Sequence, residues 1–189
     1  MEKFKDDIIK SIDVINNGGI ILYPTDTIWG IGCDATNAVA INNIYHLKKR
    51  GEKKSMIILV ADVDQIELFV SKPSKKLLDF LETAEKPVTA IFDNGINLPS
   101  LLINEDGTVA VRIVKDDFCK QLIRKSGVPL VSTSANISGE NYPRNYEEIS
   151  DEIKKGVDYT VQHRRNDLNV YHPSSIIKLN TKGGIETIR

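Results

Sequence analysis

The fold is decided around one stretch, Ile20-Ile21-Leu22-Tyr23-Pro24-Thr25-Asp26-Thr27-Ile28-Trp29-Gly30-Ile31-Gly32. An apolar strand ends at a proline, and two hydroxyls that flank a carboxylate follow directly. Because α/β proteins bind ligands where strands end, this order predicts a strand that leads into a site. The same residues are typical of a tight turn in which Asp26 and the threonines bond their own backbone. This stretch alone leaves both interpretations open.

Helix-like and strand-like patterns alternate on either side of this stretch. Apolar residues at helical spacing run from Phe4 to Ile15, and Asn145 three residues before Glu148 is typical of a helix start. Strand-like runs lie at 56–60, 88–92, 108–113, 129–131, 174–179 and 185–188. The alternation predicts an α/β fold with one open, twisted, mixed sheet flanked by helices. Since no repeat or long linker interrupts the pattern, we expect a single domain over residues 1–189.

Composition excludes several classes of protein. The 189 residues carry a formal net charge of -1, which argues against coating duplex nucleic acid through charge alone. Cys33 and Cys119 lie far apart, so neither a disulfide framework nor a zinc ribbon is expected, and no metal held by protein ligands is predicted. Neither a signal-peptide pattern nor a membrane-length apolar run is present, which favours a cytoplasmic protein that does not contact membranes.

A basic run, Lys48-Lys49-Arg50-Gly51-Glu52-Lys53-Lys54, follows the second helical pattern. Cations favour helix C-termini, and charge runs are usually solvated, so the run can be purely structural. It can also clamp a polyphosphate. Helical spacing puts Lys48 near the buried stripe, so Lys48 and Arg50 could lean over the sheet, whereas we expect Lys49 and Lys53 to face water. The Walker A pattern is absent, so a nucleotide would be held by another device.

A later strand, Thr108-Val109-Ala110-Val111-Arg112, carries an arginine among apolar residues. Strand alternation puts Thr108, Ala110 and Arg112 on one face. Burying that guanidinium is costly unless an anion meets it. An acidic side chain of the protein and a carboxylate or phosphate of a ligand satisfy this requirement equally well.

Small hydroxyls crowd the end of another strand, in Ser132-Thr133-Ser134-Ala135-Asn136-Ile137-Ser138-Gly139. Their O–H groups and nearby N–H groups could hold an anion, and the density of polar residues favours this over a simple turn. Ser174-Ser175 repeats the pattern more weakly. Gly30-Ile31-Gly32 also begins a dinucleotide fingerprint, but the lysine-rich run stands where that motif needs an acidic residue, so we do not expect a Rossmann site. Cations and hydroxyls without a clear general base suit phosphoryl or nucleotidyl transfer.

In this order, the motifs resemble the YrdC family, the threonylcarbamoyl-AMP synthases. Pro24 to Gly32 matches the family's PT(D/E)TxYGLG, and Lys48-Lys49-Arg50 matches its K-x-R. Thr108 to Arg112 matches TVAVR, Ser134 to Gly139 matches SANxSG, and Pro173 to Ile177 resembles PSTVV. Each motif is weak singly, but five in the right order make the resemblance strong, and it covers nearly the whole chain.

The resemblance implies a basic concave surface on the sheet and a defined reaction. L-threonine, bicarbonate and ATP, with Mg²⁺ on the nucleotide, would give L-threonylcarbamoyl-adenylate and pyrophosphate. The product would pass to a separate transferase that makes threonylcarbamoyladenosine (t6A) at position 37 of tRNAs reading codons that begin with A. Weak binding of tRNA or other RNA is compatible with the same surface.

The resemblance also implies residue roles. Threonine would be held by Thr25, Arg112, Ser132 and Ser174, with Arg112 pairing its carboxylate. Lys48 and Arg50 would act in catalysis by neutralising the triphosphate. Phosphate or ribose would be cradled by Thr108, Ser134, Asn136 and Ser138.

The chain departs from the family pattern at several positions. Trp29 replaces the usual tyrosine, and Gly51 replaces the usual proline after K-x-R. The resemblance also implies that the C-terminal extra domain of longer family members is missing here, so closure over the nucleotide could depend on loops such as residues 162–172, which carry Arg164 and Arg165.

Other functions are weighed against this one. An RNA-binding module could use the same concavity, but the near-neutral charge and the lack of aromatics among the basic residues argue against it. A YciO-like paralogue is the second alternative, and the intact Asn136 favours the synthase because that branch tends to lack this asparagine. Hydrogenase-maturation proteins with a carbamoyl-adenylate site carry further domains that this chain has no room for.

Overall fold

A computed structural model describes residues 4–51 and 56–189 of the chain. The α-helices of this part are α1 (Lys5–Asn16), α2 (Ala38–Leu47), α3 (Lys75–Thr83), α4 (Asp117–Ser126) and α5 (Asp151–Lys155). The strands are β1 (Ile21–Tyr23), β2 (Gly30–Gly32), β3 (Ile57–Val60), β4 (Val88–Phe92), β5 (Val109–Ile113), β6 (Leu130–Ser134), β7 (Tyr159–Thr160), β8 (Ser175–Leu179) and β9 (Ile185–Thr187). Short 3-10 helices lie at Val63–Leu68 and Ser100–Leu102.

The strands form one sheet in the order β7-β1-β2-β6-β3-β5-β4-β8-β9. Parallel pairs join β1 to β7, β3 to β5 and β4 to β8, and the other neighbours are antiparallel. The expectation of an open mixed sheet flanked by helices is confirmed.

Apolar side chains cover both faces of the sheet. Successive residues of a strand point to opposite faces, so Leu22 packs in one core while Ile21 packs in the other. The first core includes the buried stripe of α2, of which Ile41 is a member. The second includes the buried faces of α1 and α4, with Ile8 among them. Helices therefore pack against both faces of the sheet.

The helix expected to start at Asn145 is wrong. The structure begins α5 at Asp151, where the Ser150 hydroxyl accepts a hydrogen bond from the N–H of Ile153 at 3.4 Å. Asn145 Oδ1 does accept from the N–H of Glu148 at 3.3 Å, but the Glu148 carboxylate accepts from Arg144 instead of closing a capping box. The local hydrogen bonds therefore make a turn rather than a helix start.

Gly32 lies inside a strand and not in a phosphate loop. A Cβ at this position would lie 2.3 Å from the carbonyl oxygen of Val131 and 2.7 Å from the Tyr23 ring. The glycine is therefore required by the close approach of β2 to β6. This agrees with the rejection of a Rossmann site.

Within the part of the chain that the structure describes, no helix has the length and apolar character needed to cross a bilayer.

Candidate active site

A cavity of about 350 Å³ opens on one face of the sheet, where Ala110 and Arg112 of β5 and Ser132 and Ser134 of β6 line it. This volume lies in the range of small-molecule sites. Five of the predicted site residues contribute to its wall, and they come from four separate segments: Arg50, Arg112, Ser132, Ser134 and Ser174. The rest of the wall is formed by Thr27, Ile28, Trp29, Gly30, Met56, Ile57, Ile91, Asn104, Ala110, Thr133, Tyr142, Pro173, Ile176 and Arg189.

Arg112 sits on β5 with only 3% of its surface exposed. Its Nη1 donates to the Thr27 hydroxyl at 3.1 Å, and its Nη2 lies 3.4 Å from Asp26 Oδ1. The other Asp26 oxygen accepts from the N–H of Lys115 at 2.9 Å. The structure therefore pairs Arg112 with an acid of the protein and also places it on the cavity wall, so a contact with a ligand anion stays a prediction.

The turn after β1 is held by its own hydroxyls. Thr25 is 1% exposed, and its hydroxyl accepts from the N–H of Thr27 at 3.0 Å and donates to the carbonyl of Ile28 at 2.9 Å. Thr25 is outside the residues that line the cavity, whereas Thr27 is among them. Thr25 thus shapes the turn, and Thr27 places its hydroxyl on the cavity wall.

Two serines complete the wall near Arg112. The Ser174 hydroxyl lies 2.8 Å from the hydroxyl of Thr89, and Ser174 is 4% exposed. Ser132 is 8% exposed, and a Cβ at Gly30 would come within 3.1 Å of its Oγ. Since Gly30 has no Cβ, the space beside the Ser132 hydroxyl stays open.

Arg50 adds a second guanidinium to the cavity wall. Its Nη1 donates to the Thr133 hydroxyl of β6 at 3.4 Å. Burial lowers the pKa of the Arg50 guanidinium, although it remains charged at neutral pH. A cation that loses hydration on burial is stabilised by an anion that reaches it.

Lys48 does not share this position. It is 1% exposed, and its ammonium donates to the main-chain carbonyls of Ser134 and Asn136, the latter at 2.6 Å. Burial, followed by the charge of Arg50, lowers the pKa of Lys48 to about 7. The amine therefore lies behind the wall that Ser134 helps to form.

Thr108 is also set back from the cavity. Its hydroxyl accepts from the Asn104 side chain at 2.9 Å and donates to Asp106 at 2.7 Å. Asn104 lines the cavity in its place. Thr108 is thus one hydrogen bond away from the wall.

Asn136 and Ser138 hold the loop that follows β6. The Asn136 side chain donates to the carbonyls of Ile137 and Glu140 at 2.9 and 2.8 Å. The N–H of Ser138 donates to the carbonyl of Lys48 at 2.8 Å. Neither residue is among those that line the cavity.

Sequence reasoning gave no role to five polar side chains of the wall: Thr27 and Thr133, which lie within the recognised motifs, and Asn104, Tyr142 and Arg189, which lie outside them. Arg189 donates to the carbonyl of Ser174 at 3.2 Å. The two late strands were recognised, and their antiparallel pairing would have brought Arg189 back beside Ser174. Asn104 and Tyr142 lie in loops, where periodicity gives no signal.

The two arginines at 162–172 are already engaged by the protein. Arg164 donates to the carbonyl of Thr25 at 2.8 Å and lies 3.3 Å from Asp116. Arg165 donates to the carbonyl of Val161 at 2.9 Å. Their role in closure over a nucleotide stays a prediction. The prediction for Lys53 falls on residues 52–55, outside the described part of the chain.

The donor set of the cavity fits an anionic ligand better than a metal cage. Among residues 4–51 and 56–189, no group of three or more His, Cys, Asp or Glu could hold an ion, and the residues that line the cavity include no carboxylate. Mg²⁺ is usually bound through one or two carboxylates, water and substrate phosphates. The wall is therefore compatible with an ion that arrives on the phosphates of a nucleotide.

Fold and site define an α/β protein with one cavity wall of guanidinium and hydroxyl groups, suited to a small anionic substrate. The chain belongs to the Sua5/YciO/YrdC family, whose sequence profile, described as telomere recombination, matches residues 13–189. The family expected from the motifs is thereby confirmed.

Curated relatives share this family membership. A threonylcarbamoyl-AMP synthase of Pseudoalteromonas translucida is 31% identical over 157 residues, which cover 82% of this chain and 84% of the relative. One of Hahella chejuensis is 30% identical over 171 residues, covering 89% and 91%. A putative threonylcarbamoyl-AMP synthase of Methanocaldococcus jannaschii is 34% identical over 167 residues, covering 87% and 76%.

Solved structures share the fold. Sua5 of P. abyssi, complexed with L-threonine, superposes with a TM-score of 0.85 at 22% identity over 96% of this chain and 53% of Sua5. YciO of E. coli superposes with a TM-score of 0.80 at 21% identity over 96% of this chain and 87% of YciO.

Proposed function

We propose that this chain is a threonylcarbamoyl-AMP synthase, which forms L-threonylcarbamoyl-adenylate and pyrophosphate from L-threonine, bicarbonate and ATP. One observation carries the proposal: two arginines and three serines from four separate segments of the chain line the same cavity. Relatives with this name, similar over most of the chain, support it.

Threonine binds at the Arg112 end of the cavity in this proposal. Its carboxylate pairs with the Arg112 guanidinium, which Thr27 and Asp26 already hold in a fixed orientation. The hydroxyls of Ser132 and Ser174 are the nearby groups that can bond the rest of the amino acid. Such prior orientation reduces the entropy lost on binding.

ATP binds toward Arg50 and Ser134. The threonine nitrogen attacks bicarbonate, and a carbamate forms with loss of water. A carbamate oxygen then bonds to the α-phosphorus, while the bond from the α-phosphorus to the bridging oxygen breaks and pyrophosphate leaves. Because the carbamate is already an anion, this second step needs charge neutralisation and alignment more than a strong base. Bound Mg²⁺ would neutralise charge on the leaving pyrophosphate.

The decisive experiment is an assay with purified protein, L-threonine, bicarbonate and Mg-ATP. We expect a threonine-dependent adenylate and equimolar pyrophosphate, and neither product when threonine is omitted. Absence of both products would reject the synthase and favour a YciO-like function. A bare RNA binder would instead lose RNA affinity steeply between two salt concentrations, with no effect of ATP or threonine.

The adenylate is an activated acyl donor, so a separate transferase must consume it. We propose that this transferase modifies position 37 of tRNAs reading codons that begin with A, which gives t6A. Addition of the purified t6A transferase and such a tRNA to the assay should yield the modified nucleoside. A tRNA without adenosine at position 37 is the matched control.

A further inference from the structure

Lys48 is the C-cap residue of α2, and it holds the loop after β6 from two sides. Its ammonium donates to the carbonyls of Ser134 and Asn136, and its own carbonyl accepts from the N–H of Ser138. All three contacts are to main-chain atoms of one short loop, Ser134 to Ser138. Because α2 packs in the core, it supplies a rigid support for this loop.

Burial makes a direct contact with substrate costly for this lysine. Its side chain is 1% exposed, and it is not among the residues that line the cavity. A buried ammonium needs hydrogen bonds to replace its hydration, and the two carbonyls provide them. Turning toward a phosphate would break both bonds and leave the carbonyl of Asn136 without this donor.

Ser134 is the residue through which Lys48 can reach the cavity. Ser134 is the last residue of β6, where its sheet partner is Gly30 of β2. Just beyond this pair the N–H of Ala135 donates to the carbonyl of Trp29 at 3.1 Å, and the Ser134 carbonyl accepts from both the N–H of Asn136 and the Lys48 ammonium. The Ser134 side chain lies on the cavity wall.

We propose that Lys48 is a positioning residue, which orients the Ser134 hydroxyl through the main chain of the loop and does not itself contact the triphosphate. This inference deepens the proposed function and rests on it for its effect on turnover. It replaces the direct role in charge neutralisation that the motif implied.

The first test measures amide hydrogen exchange without any ligand. The amides of Ala135, Asn136 and Ser138 are all hydrogen bonded, so their exchange rates report opening of the loop. We expect Lys48→Met to accelerate their exchange by about tenfold or more, the range set by loss of a hydrogen bond to a charged group. Lys49→Met is the matched control and should leave these rates unchanged, because the exposed Lys49 ammonium pairs with Glu152 and not with the loop.

The second test is a double-mutant cycle on kcat/KM for ATP. Lys48→Met and Ser134→Ala should each lower kcat/KM by about tenfold. If Lys48 acts through Ser134, the kcat/KM of the double variant should lie within about twofold of that of the less active single variant. Multiplicative losses would overturn the inference, because they show that Lys48 contributes independently of Ser134.

The outcomes separate the two proposals. A wild-type protein that makes no adenylate rejects the proposed function, while the exchange measurement still decides the role of Lys48. Unchanged exchange in Lys48→Met overturns the inference whether or not the protein is active. If Lys48→Met does not fold, Lys48→Gln keeps one amide donor in place and should show a smaller acceleration in the same amides.

Discussion

Arg112 and Lys48 are both cations with almost no exposed surface, yet the protein uses them in opposite ways. Arg112 faces the cavity and is paired behind with an aspartate, whereas Lys48 faces main-chain carbonyls and supports the wall from outside. Burial of a cation therefore does not identify a ligand contact. The two cations differ in their partner within the protein, which is a carboxylate for Arg112 and a pair of main-chain carbonyls for Lys48.

The largest expected effect is the loss of threonine binding in Arg112→Ala. Removing the guanidinium takes away the charge-assisted bonds to the amino-acid carboxylate, so we expect threonine affinity to fall by about 100-fold or more. ATP affinity should change by less than about threefold, since Arg50 lies elsewhere on the wall. Calorimetry with each ligand alone measures both, and an equal loss for the two ligands would contradict separate ends of the cavity.

The second effect concerns the acid behind Arg112. Asp26→Asn leaves a buried guanidinium without its counter-charge, so the free energy of unfolding should fall by about 3 kcal/mol. Threonine binding should persist, because Arg112 remains. Chemical denaturation gives the stability, and Arg112→Ala with Asp26→Asn should be more stable than Arg112→Ala alone. A double variant with no recovery would show that the ion pair does not govern stability here.

A third effect is the pH dependence of the stability that Lys48 contributes. The pKa of Lys48 is lowered from 10.5 to about 7, so the unfolded chain binds more protons than the folded protein between these values. The cost of burying the charge is fully present below pH 7 and is relieved as pH rises toward 10.5. The free energy of unfolding of wild type minus that of Lys48→Met should therefore increase from pH 6.5 to pH 9. A flat difference would contradict the lowered pKa.

The smallest effect is expected at an exposed cation. Arg124 forms a surface ion pair with Asp62 at 2.6 Å, with about half of each side chain exposed. Arg124→Ala should lower the melting temperature less than Asp26→Asn and should leave threonine and ATP affinity unchanged. Thermal denaturation and the same calorimetry provide the measurements. A loss of binding in Arg124→Ala would mean that charge anywhere on the surface drives affinity.

Some of this arrangement could be predicted from the sequence. Strand alternation placed Arg112 on a face with Ala110, and both line the cavity. The pairing of Arg112 with Asp26 could not be predicted, because it depends on the approach of two segments that are distant in the chain. Helical spacing correctly kept Lys48 near the buried stripe. The Lys48 ammonium donates to main-chain carbonyls. Because every residue has a carbonyl, no pattern of side chains could predict these acceptors.

Local patterns also failed where tertiary contacts decide. Asn145 makes the hydrogen bond expected of a helix cap, but Arg144 engages Glu148 and the helix starts later. The mixed sheet followed from alternating elements, whereas its strand order depends on pairings between distant segments. Tyr142 reaches the cavity from a loop, and neither hydrophobic periodicity nor a charge pattern predicts its position there.

The strand order has a consequence for how the molecule forms. β1 pairs with β7 through Ile21 and Tyr159, and β4 pairs with β8 through Val88 and Ser175. Such long-range pairings slow folding, because a large loop must close before any contact compensates for its lost entropy. Since Ser174 and Arg189 flank the late strands β8 and β9, the cavity wall is complete only after these strands have joined the sheet.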